Sequence, residues 1–483
     1  MPDLDAARKD LIAALGPEAV LTDPHALRLY ARDASMVEGS AGLVAFVRST
    51  EDVVACMRVA ARHDLPVVPR GSGTGLAGAA TPLGDPLLVV TSKMDRILEV
   101  SPEDRLAWVE PGVFNLDLAN ELRALGFTYA PDPSSQQVSS IGGNVNTNAG
   151  GPHCLAYGVT SAHVLALDVV LPDGTVERVG SEAPAARGYD LRGFVVGSEG
   201  TLGVVTAICV RLTPLPPAVR TMLLDFADVD DCARTVSGIV ARGVVPAAIE
   251  MMDQGIVRAV EAFVHAGYPT DAAAVLLVEV DGIAAAVEAQ AREIEAAARE
   301  HHVGTIRVAS DDAERALLWK GRKSAFGAIA RIAPHYHLHD CVVPRTKLAE
   351  ILSGVYEIAS RHDIVVTNVF HAGDGNLHPL FSFDRTVPGT LERVLAASDE
   401  LVRLCVDAGG ALSGEHGIGL EKRDFMPLVF TPDDLDAQAC LRAAFDPDGR
   451  MNPRKVLPDG ARCGDYAAAA LAAEGALPEG TWI

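Results

Sequence analysis

No stretch of about 18 consecutive apolar residues occurs in the 483-residue chain, which excludes a membrane-spanning helix. The amino terminus, MPDLDAARKDLIAALGPE, lacks the unbroken apolar core and the small-residue cleavage site of a secretory signal. Positive charge is also scarce: 41 Lys and Arg face 64 Asp and Glu, a net charge of -23. That sign argues against tracking a phosphate backbone, so no nucleic-acid partner is expected, and against attraction to an anionic bilayer. The eight cysteines are scattered, and no two form a C-x-x-C. An iron–sulfur cluster or zinc ribbon within the chain is therefore not expected, and a reducing cytoplasm fits best. No internal repeat is visible, and low complexity is confined to the alanine-rich tail.

What is present is enough apolar sequence, 49%, for two or three cores. From Gly42 to Pro216, short strands punctuated by Gly and Pro alternate with helices at 49–64 and 115–126, the second stopped by Gly126. Pro172-Asp-Gly174 reads as a hairpin turn, and Thr213-Pro-Leu-Pro-Pro217 as a stiff linker. Beyond it, helical stretches (227–242, 254–266, 283–302, 311–331, 346–362) alternate with strands (247–252, 273–280, 305–309, 336–343, 364–371). That order predicts an antiparallel or mixed sheet covered by helices, an α+β fold. The expected domains are 1–217, a cap domain at 218–420, and a segment at 421–483 returning to the first.

Three segments of the first domain are too poor in bulk to build a core. Pro66-Val-Val-Pro-Arg-Gly-Ser-Gly-Thr-Gly-Leu-Ala-Gly78 contains a formal G-x-G-x-x-G, but AATPLGDPLLVV follows, whose prolines and glycine forbid the helix a dinucleotide fingerprint requires. A nicotinamide site is rejected. A backbone nest for a diphosphate and a plain strand-connecting turn both remain open. The second segment, Pro131-Asp-Pro-Ser-Ser135 followed by Ile141-Gly-Gly-Asn-Val-Asn-Thr-Asn-Ala-Gly-Gly151, suits ligand lining, since small residues let backbone amides approach. The third, Gly197-Ser-Glu-Gly-Thr-Leu-Gly-Val-Val205, sets a glycine turn against an apolar strand.

In order and separation these segments resemble the FAD-binding (PCMH-type) domain of the vanillyl-alcohol oxidase and p-cresol methylhydroxylase superfamily. The resemblance implies a two-subdomain FAD domain in which Arg70, Gly71, Ser72, Gly73, Thr74 and Gly75 lie by the diphosphate and ribityl chain. Pro131, Asp132, Ser135, Gly142, Gly143, Asn144, Asn146, Thr147, Asn148, Gly150 and Gly151 would join them, with Gly158. Glu199, Gly200, Gly203, Val204 and Val205 would lie beside the adenine or isoalloxazine end, and Asn452 would complete the FAD site. Members that bond FAD covalently from this loop carry a histidine near the place of Thr74, so threonine implies non-covalent FAD.

The cap contains Val369-Phe-His-Ala-Gly-Asp-Gly-Asn-Leu-His378 and, later, Leu412-Ser-Gly-Glu-His-Gly-Ile-Gly419. Imidazoles and a carboxylate suit a borderline divalent ion such as zinc, with manganese, iron or cobalt as alternatives. A Gly-Asp-Gly-Asn turn would bring His371 and His378 together at one end of a hairpin. Spacing alone is a weak signal, because most of the fourteen histidines need only be surface or hydrogen-bonded core residues. The pair of motifs is similar to the carboxy-terminal domain of flavin-linked D-lactate, D-2-hydroxyglutarate and glycolate dehydrogenases. That similarity implies His371, His378 and Glu415 as metal ligands, His416 as the base beside the flavin, and Arg322 of Trp319-Lys-Gly-Arg322 as the substrate carboxylate clamp. Lys320 and Lys323 read as surface charges. Leu338 stands where the 2-hydroxyglutarate enzymes place a lysine, which implies a short substrate. Ala248–Asp253 and Phe263–Asp271 resemble the glycolate oxidase branch most.

The implied reaction takes glycolate to glyoxylate or D-lactate to pyruvate, with the hydroxyl proton going to His416 and the C2 hydride to flavin N5. Arg322 and the metal would supply the positive charge that an anionic substrate needs on this acidic chain. Reoxidation would fall to a second flavoprotein-like subunit and an iron–sulfur subunit, placing the chain in the cytoplasm, peripheral to the inner membrane face through its partners. The alternatives are a stand-alone D-lactate or other D-2-hydroxy acid dehydrogenase, a His-His-Glu metal hydrolase whose glycine loops are merely structural, and a non-catalytic assembly subunit.

Overall fold

The computed structural model describes residues 3–183 and 188–459; Cys463 and the alanine-rich tail lie outside the described residues. The chain divides into two units. One comprises Met1–Gly150, Val159–Leu215 and Glu415–Ile483, and the other Gly151–Gly158 and Pro216–Gly414.

The first unit holds two principal sheets. Strands Leu43–Phe46, Leu87–Val90 and Val67–Arg70 run parallel, with Val20–Leu21 antiparallel at one edge. Helix Thr50–Arg62 forms because Ser49 caps it by accepting from the Asp52 amide, and because Val53, Cys56, Met57 and Ala60 make one apolar face. That face packs with Leu11, Leu65, Leu87 and Met94. Each such buried Val, Leu or Met contributes about 1.5–3 kcal/mol. The second sheet is antiparallel, in the order 97–101, 106–109, 204–211, 164–170, 176–180. The expected hairpin joins its last two strands, with Gly174 at φ +85. Its core takes Leu118 and Leu122 of helix Asn115–Arg123 together with Ile141 and Val145.

Two readings of the sequence need correction. Thr213–Pro214, read as the start of a stiff linker, is a two-residue strand paired with Phe127–Thr128. The asparagine-rich segment is not all loop, since Ile141–Thr147 is a helix capped by Ser140, whose hydroxyl accepts from the Gly143 amide. The rejection of a nicotinamide fingerprint stands: between Arg70 and Leu87 no helix opens among the described residues.

The second unit is a nine-stranded sheet, antiparallel at every described pairing, with long helices Val229–Ala241, Gln254–Val264, Ala284–Glu300, Leu348–Arg361 and Thr390–Asp407. Strand Ala248–Asp253 sits between Ala274–Gly282 and Val365–His371 and is buried along its whole length. Its one mid-strand acid, Glu250, therefore lies in a fully buried layer. The fold is α+β, as the element order indicates.

Candidate active site

In the second unit, strand register sets the chemistry. Glu250 is the cross-strand partner of His371, and its two carboxylate oxygens lie 2.8 and 3.0 Å from His371 Nδ1. A carboxylate bonded to one ring nitrogen is the arrangement that orients metal-binding histidines. From His371 the chain turns through Gly375, whose φ of +79 and 2.2 Å approach of a would-be Cβ to the Val343 carbonyl admit only glycine. His378 returns with its ring centroid 5.1 Å from that of His371, at 80°. Nitrogens of the two rings lie within 4.8 Å of each other, and a His378 nitrogen and an Asp340 oxygen are equally close.

Asp340 was not singled out by sequence as a site residue. It is fully buried, its Oδ1 lies 3.6 Å from His378 Nε2, and it accepts from the Ser413 hydroxyl at 2.6 Å and the Gly414 amide at 3.0 Å. It thus holds the end of the segment from which Glu415 and His416 directly continue. By the division of the chain, Arg322, His371 and His378 belong to the second unit, whereas Glu415 and His416 open the last segment of the first.

Arg322 is completely buried, with Nη2 2.5 Å from Glu250 Oε2. That ion pair falls outside hydrogen-bond angles, and Nε and Nη1 have no hydrogen-bond partner among the described residues. The guanidinium is held in place by its helix, Asp312–Lys323. One turn earlier, Trp319 Nε1 donates to Glu279 at 2.7 Å, and Arg315 grips both Glu279 oxygens at 2.8 Å. Thr221 donates to the same carboxylate at 2.5 Å, and His153 stacks on Trp319 with ring centroids 5.4 Å apart. Burial opposes ionisation of Glu279, but its bonds to Arg315 and His153 outweigh that, and its carboxyl is held well below the usual range. Lys320 on the same helix is exposed. Leu338 is buried and pairs with Leu380, so no cation stands at that place.

In the first unit, segments distant in sequence converge. Arg70 ends its strand buried, its guanidinium 5.6 Å from the Tyr30 ring centroid, and burial lowers its pKa. Gly73 sits at φ +72, a conformation that strains any residue with a side chain, and a Cβ on Gly71 would lie 2.4 Å from Ser140 Oγ and displace that hydroxyl. Asn146 bonds the Gly142 carbonyl at 2.8 Å and accepts from the Gly200 amide at 3.1 Å, tying the second segment to the third. Asn452 donates to the carbonyls of Ala79 and Glu199 at 2.9 and 2.6 Å. Asn115, missed in the sequence, is fully buried and donates to the Pro131 carbonyl at 2.9 Å and to Asn144 at 3.1 Å. The hydroxyls of Ser72, Ser139 and Ser198, all in or beside these segments, are buried with no hydrogen-bond partner among the described residues. Convergent glycine backbone and orphaned hydroxyls suit a polar, phosphate-bearing ligand.

Glu199 has a second task. Its oxygens accept from the amides of Ile418 at 2.6 Å and Gly419 at 2.8 Å, two and three residues past His416. Burial pushes its carboxyl up to about 7, against the pull of those amides and of Lys422 and Lys455.

Residues 215–456 match the family model described as FAD linked oxidases, C-terminal domain, and residues 41–180 match an FAD binding domain. Glycolate oxidase subunit GlcD of Escherichia coli (strain K12) is 41% identical over 473 residues, covering 97% of this chain and 94% of that relative. The chain belongs to the FAD-linked oxidase family. A D-lactate dehydrogenase of Anaerostipes hadrus is 31% identical over 456 residues, covering 92% of this chain and 95% of the relative. Among solved structures, p-cresol methylhydroxylase superposes with a TM-score of 0.80 at 17% identity, covering 94% of this chain and 97% of that one, which shows a shared PCMH-type fold. This FAD-linked oxidase is accordingly a flavoprotein and an oxidoreductase, and the metal-hydrolase alternative is overturned by the FAD-domain match.

Proposed function

We propose that this enzyme oxidises a short 2-hydroxy acid, glycolate or D-lactate, using non-covalently bound FAD and one divalent ion, zinc by preference. The observation that carries the reading is the buried cluster of Arg322, Glu250, His371 and His378, which sets a carboxylate-binding cation beside two convergent imidazoles. The donor set fits a borderline ion: His371 is already oriented by a carboxylate, and His378 lies within reach. Glu415, one residue past the anchored Gly414, would be the third ligand. When bound, FAD supplies a two-electron acceptor and the ion supplies Lewis acidity.

The chain's own residues do the rest. Arg322 offers Nε and Nη1 to the substrate carboxylate. His416 takes the hydroxyl proton on a ring nitrogen, a task suited to an imidazole near neutral pH. Glu199 steadies the loop that follows His416. The apolar Leu338 leaves a second substrate carboxylate without a partner there, which favours a two- or three-carbon acid.

Under this reading residues 1–217 and 421–483 serve FAD and 218–420 serve the substrate. Electrons would leave through a second flavoprotein-like subunit and an iron–sulfur subunit. The Escherichia coli relative is one subunit of a glycolate oxidase, which supports a multi-subunit assembly here. No helix among the described residues is long and apolar enough to cross a membrane, and the proposed place is the cytoplasmic face, reached through those partners. The likeness to a D-lactate dehydrogenase supports a second reading, a self-sufficient D-lactate enzyme.

The test is an anaerobic spectrum of the FAD-loaded protein before and after adding glycolate or D-lactate. Bleaching of the flavin band, abolished by chelation and by His416→Ala, supports the proposal, and comparative rates with the two acids separate the two readings. An unchanged spectrum with both acids, FAD and metal being bound, sinks the short-acid assignment.

A further inference from the structure

Glu250 touches both halves of the proposed site at once: one carboxylate serves the Nδ1 of His371 and the guanidinium of Arg322, and all three residues are buried. Resting on the reading above, we infer that Glu250 is a positioning residue that couples metal binding to anion binding. Two consequences follow from that one carboxylate.

Toward His371, Glu250 accepts a hydrogen bond from Nδ1–H and so favours the tautomer that carries its lone pair on Nε2, the form a metal-binding histidine needs. Toward Arg322, Glu250 cancels charge. A buried guanidinium beside a buried carboxylate presents little net field to an incoming anion, although its Nε and Nη1 donors remain open. Without metal, the pocket offers hydrogen-bond donors but almost no net positive charge. A divalent ion held by His371 and His378 adds two positive charges, which offset the buried Asp340 carboxylate beside His378 and the proposed ligand Glu415 that would otherwise repel an anion. The enzyme therefore fills in an obligatory order, metal before 2-hydroxy acid, because the cation that would otherwise bind the acid alone is already neutralised.

The two partners of Glu250 predict shifts of opposite sign, which a purely structural ion pair would not give. Zinc affinity is measured by competition with a chromophoric chelator on metal-stripped, FAD-loaded enzyme, with flavin content as the check on folding. Glu250→Gln is expected to weaken zinc binding on the order of 10- to 100-fold. Arg322→Gln leaves Glu250 wholly to His371 and is expected to keep zinc binding as tight as in the wild type, or tighter. The double variant Glu250→Gln/Arg322→Gln buries no unpaired charge, so it folds even where the single Glu250 variant does not, and it is expected to bind zinc as weakly as that single variant.

Calorimetric titration of glycolate into the metal-stripped proteins gives the second readout. Wild-type enzyme is expected to bind glycolate weakly, and Glu250→Gln at least tenfold more tightly, since Arg322 is then uncompensated. Equal loss of zinc affinity in Glu250→Gln and Arg322→Gln, or unchanged zinc affinity in both Glu250 variants, overturns the inference while leaving the functional reading intact. A wild-type enzyme that takes up no zinc overturns both.

Discussion

Replacing Glu279 by Gln tests how Arg322 comes to be aimed. Glu279 is 2% exposed and meets Arg315, itself 36% exposed, through two bonds of 2.8 Å. Breaking a buried ion pair costs about 3–5 kcal/mol when the surviving charge stays buried. Arg315 can turn part of its guanidinium to water, so the low end applies, about 3 kcal/mol. A glutamine also turns an amide donor toward Arg315 while keeping one acceptor for Trp319 or Thr221. Urea denaturation of the FAD-loaded enzyme should show this loss, and kcat/KM should fall mainly through KM as the turn carrying Trp319 and Arg322 loosens. The pH dependence fixes the cause. A carboxyl held below its ordinary value contributes stability that is fully present above about 4.5 and drains away as the pH falls further. The gap between wild type and Glu279→Gln should therefore shrink below that pH. An equal denaturation midpoint for the two proteins at pH 7, or a gap that does not change with acid, would refute the argument.

Three further outcomes are expected. Glu199 carries the opposite sign: burial raises its carboxyl from 4.5 to about 7, so the native state holds that proton longer and stability declines as pH rises between those values. The decline amounts to about 3 kcal/mol, and Glu199→Gln should flatten it in urea titrations across that window. Gly375→Ala forces a side chain into a φ of +79, 2.2 Å from the Val343 carbonyl, which costs at least about 1–2 kcal/mol and should loosen metal uptake by spreading His371 from His378; unchanged zinc affinity would count against the hairpin as the metal seat. Acid precipitation should leave the yellow flavin in the supernatant, since Thr74 stands where covalent members carry histidine; flavin retained in the pellet would contradict this.

What the sequence discloses and what it withholds follow from how local each signal is. Ser49 before an amphipathic run, Pro172-Asp-Gly174 between two strands, and the glycine-framed His371 and His378 are written in neighbouring residues, and the structure contains each feature. Helix Ile141–Thr147 was hidden because glycine and asparagine are poor helix formers, and tertiary bonds from Asn146 and Asn115 hold it instead. Helix Thr390–Asp407 escaped notice between two better-marked motifs. Glu250 and Glu279 are the larger omission, and the hold of Glu199, expected only at the FAD site, on the loop past His416 is a third. Each pairs with residues at least 36 positions away, so its role depends on strand register and packing. One clue was available: Ala-Ile-Glu-Met-Met and Leu-Leu-Val-Glu-Val place a single acid in an otherwise apolar strand, where an unpartnered charge would be prohibitively costly.

The edge strand Val67–Arg70 is finished by a piece of chain that arrives nearly four hundred residues later: the Val67 amide donates to the Arg450 carbonyl, and its carbonyl accepts from the Asn452 amide at 2.7 Å. The flavin unit is thus not a block that could be cut from one end of the gene. A fragment stopping at residue 217 would keep its glycine loops but expose a raw sheet edge and lose Asn452, and it should aggregate rather than bind FAD. Any exchange of the second unit must treat it as an insertion, replaced between flanks near 216 and 414 together with the short 151–158 segment that belongs to it.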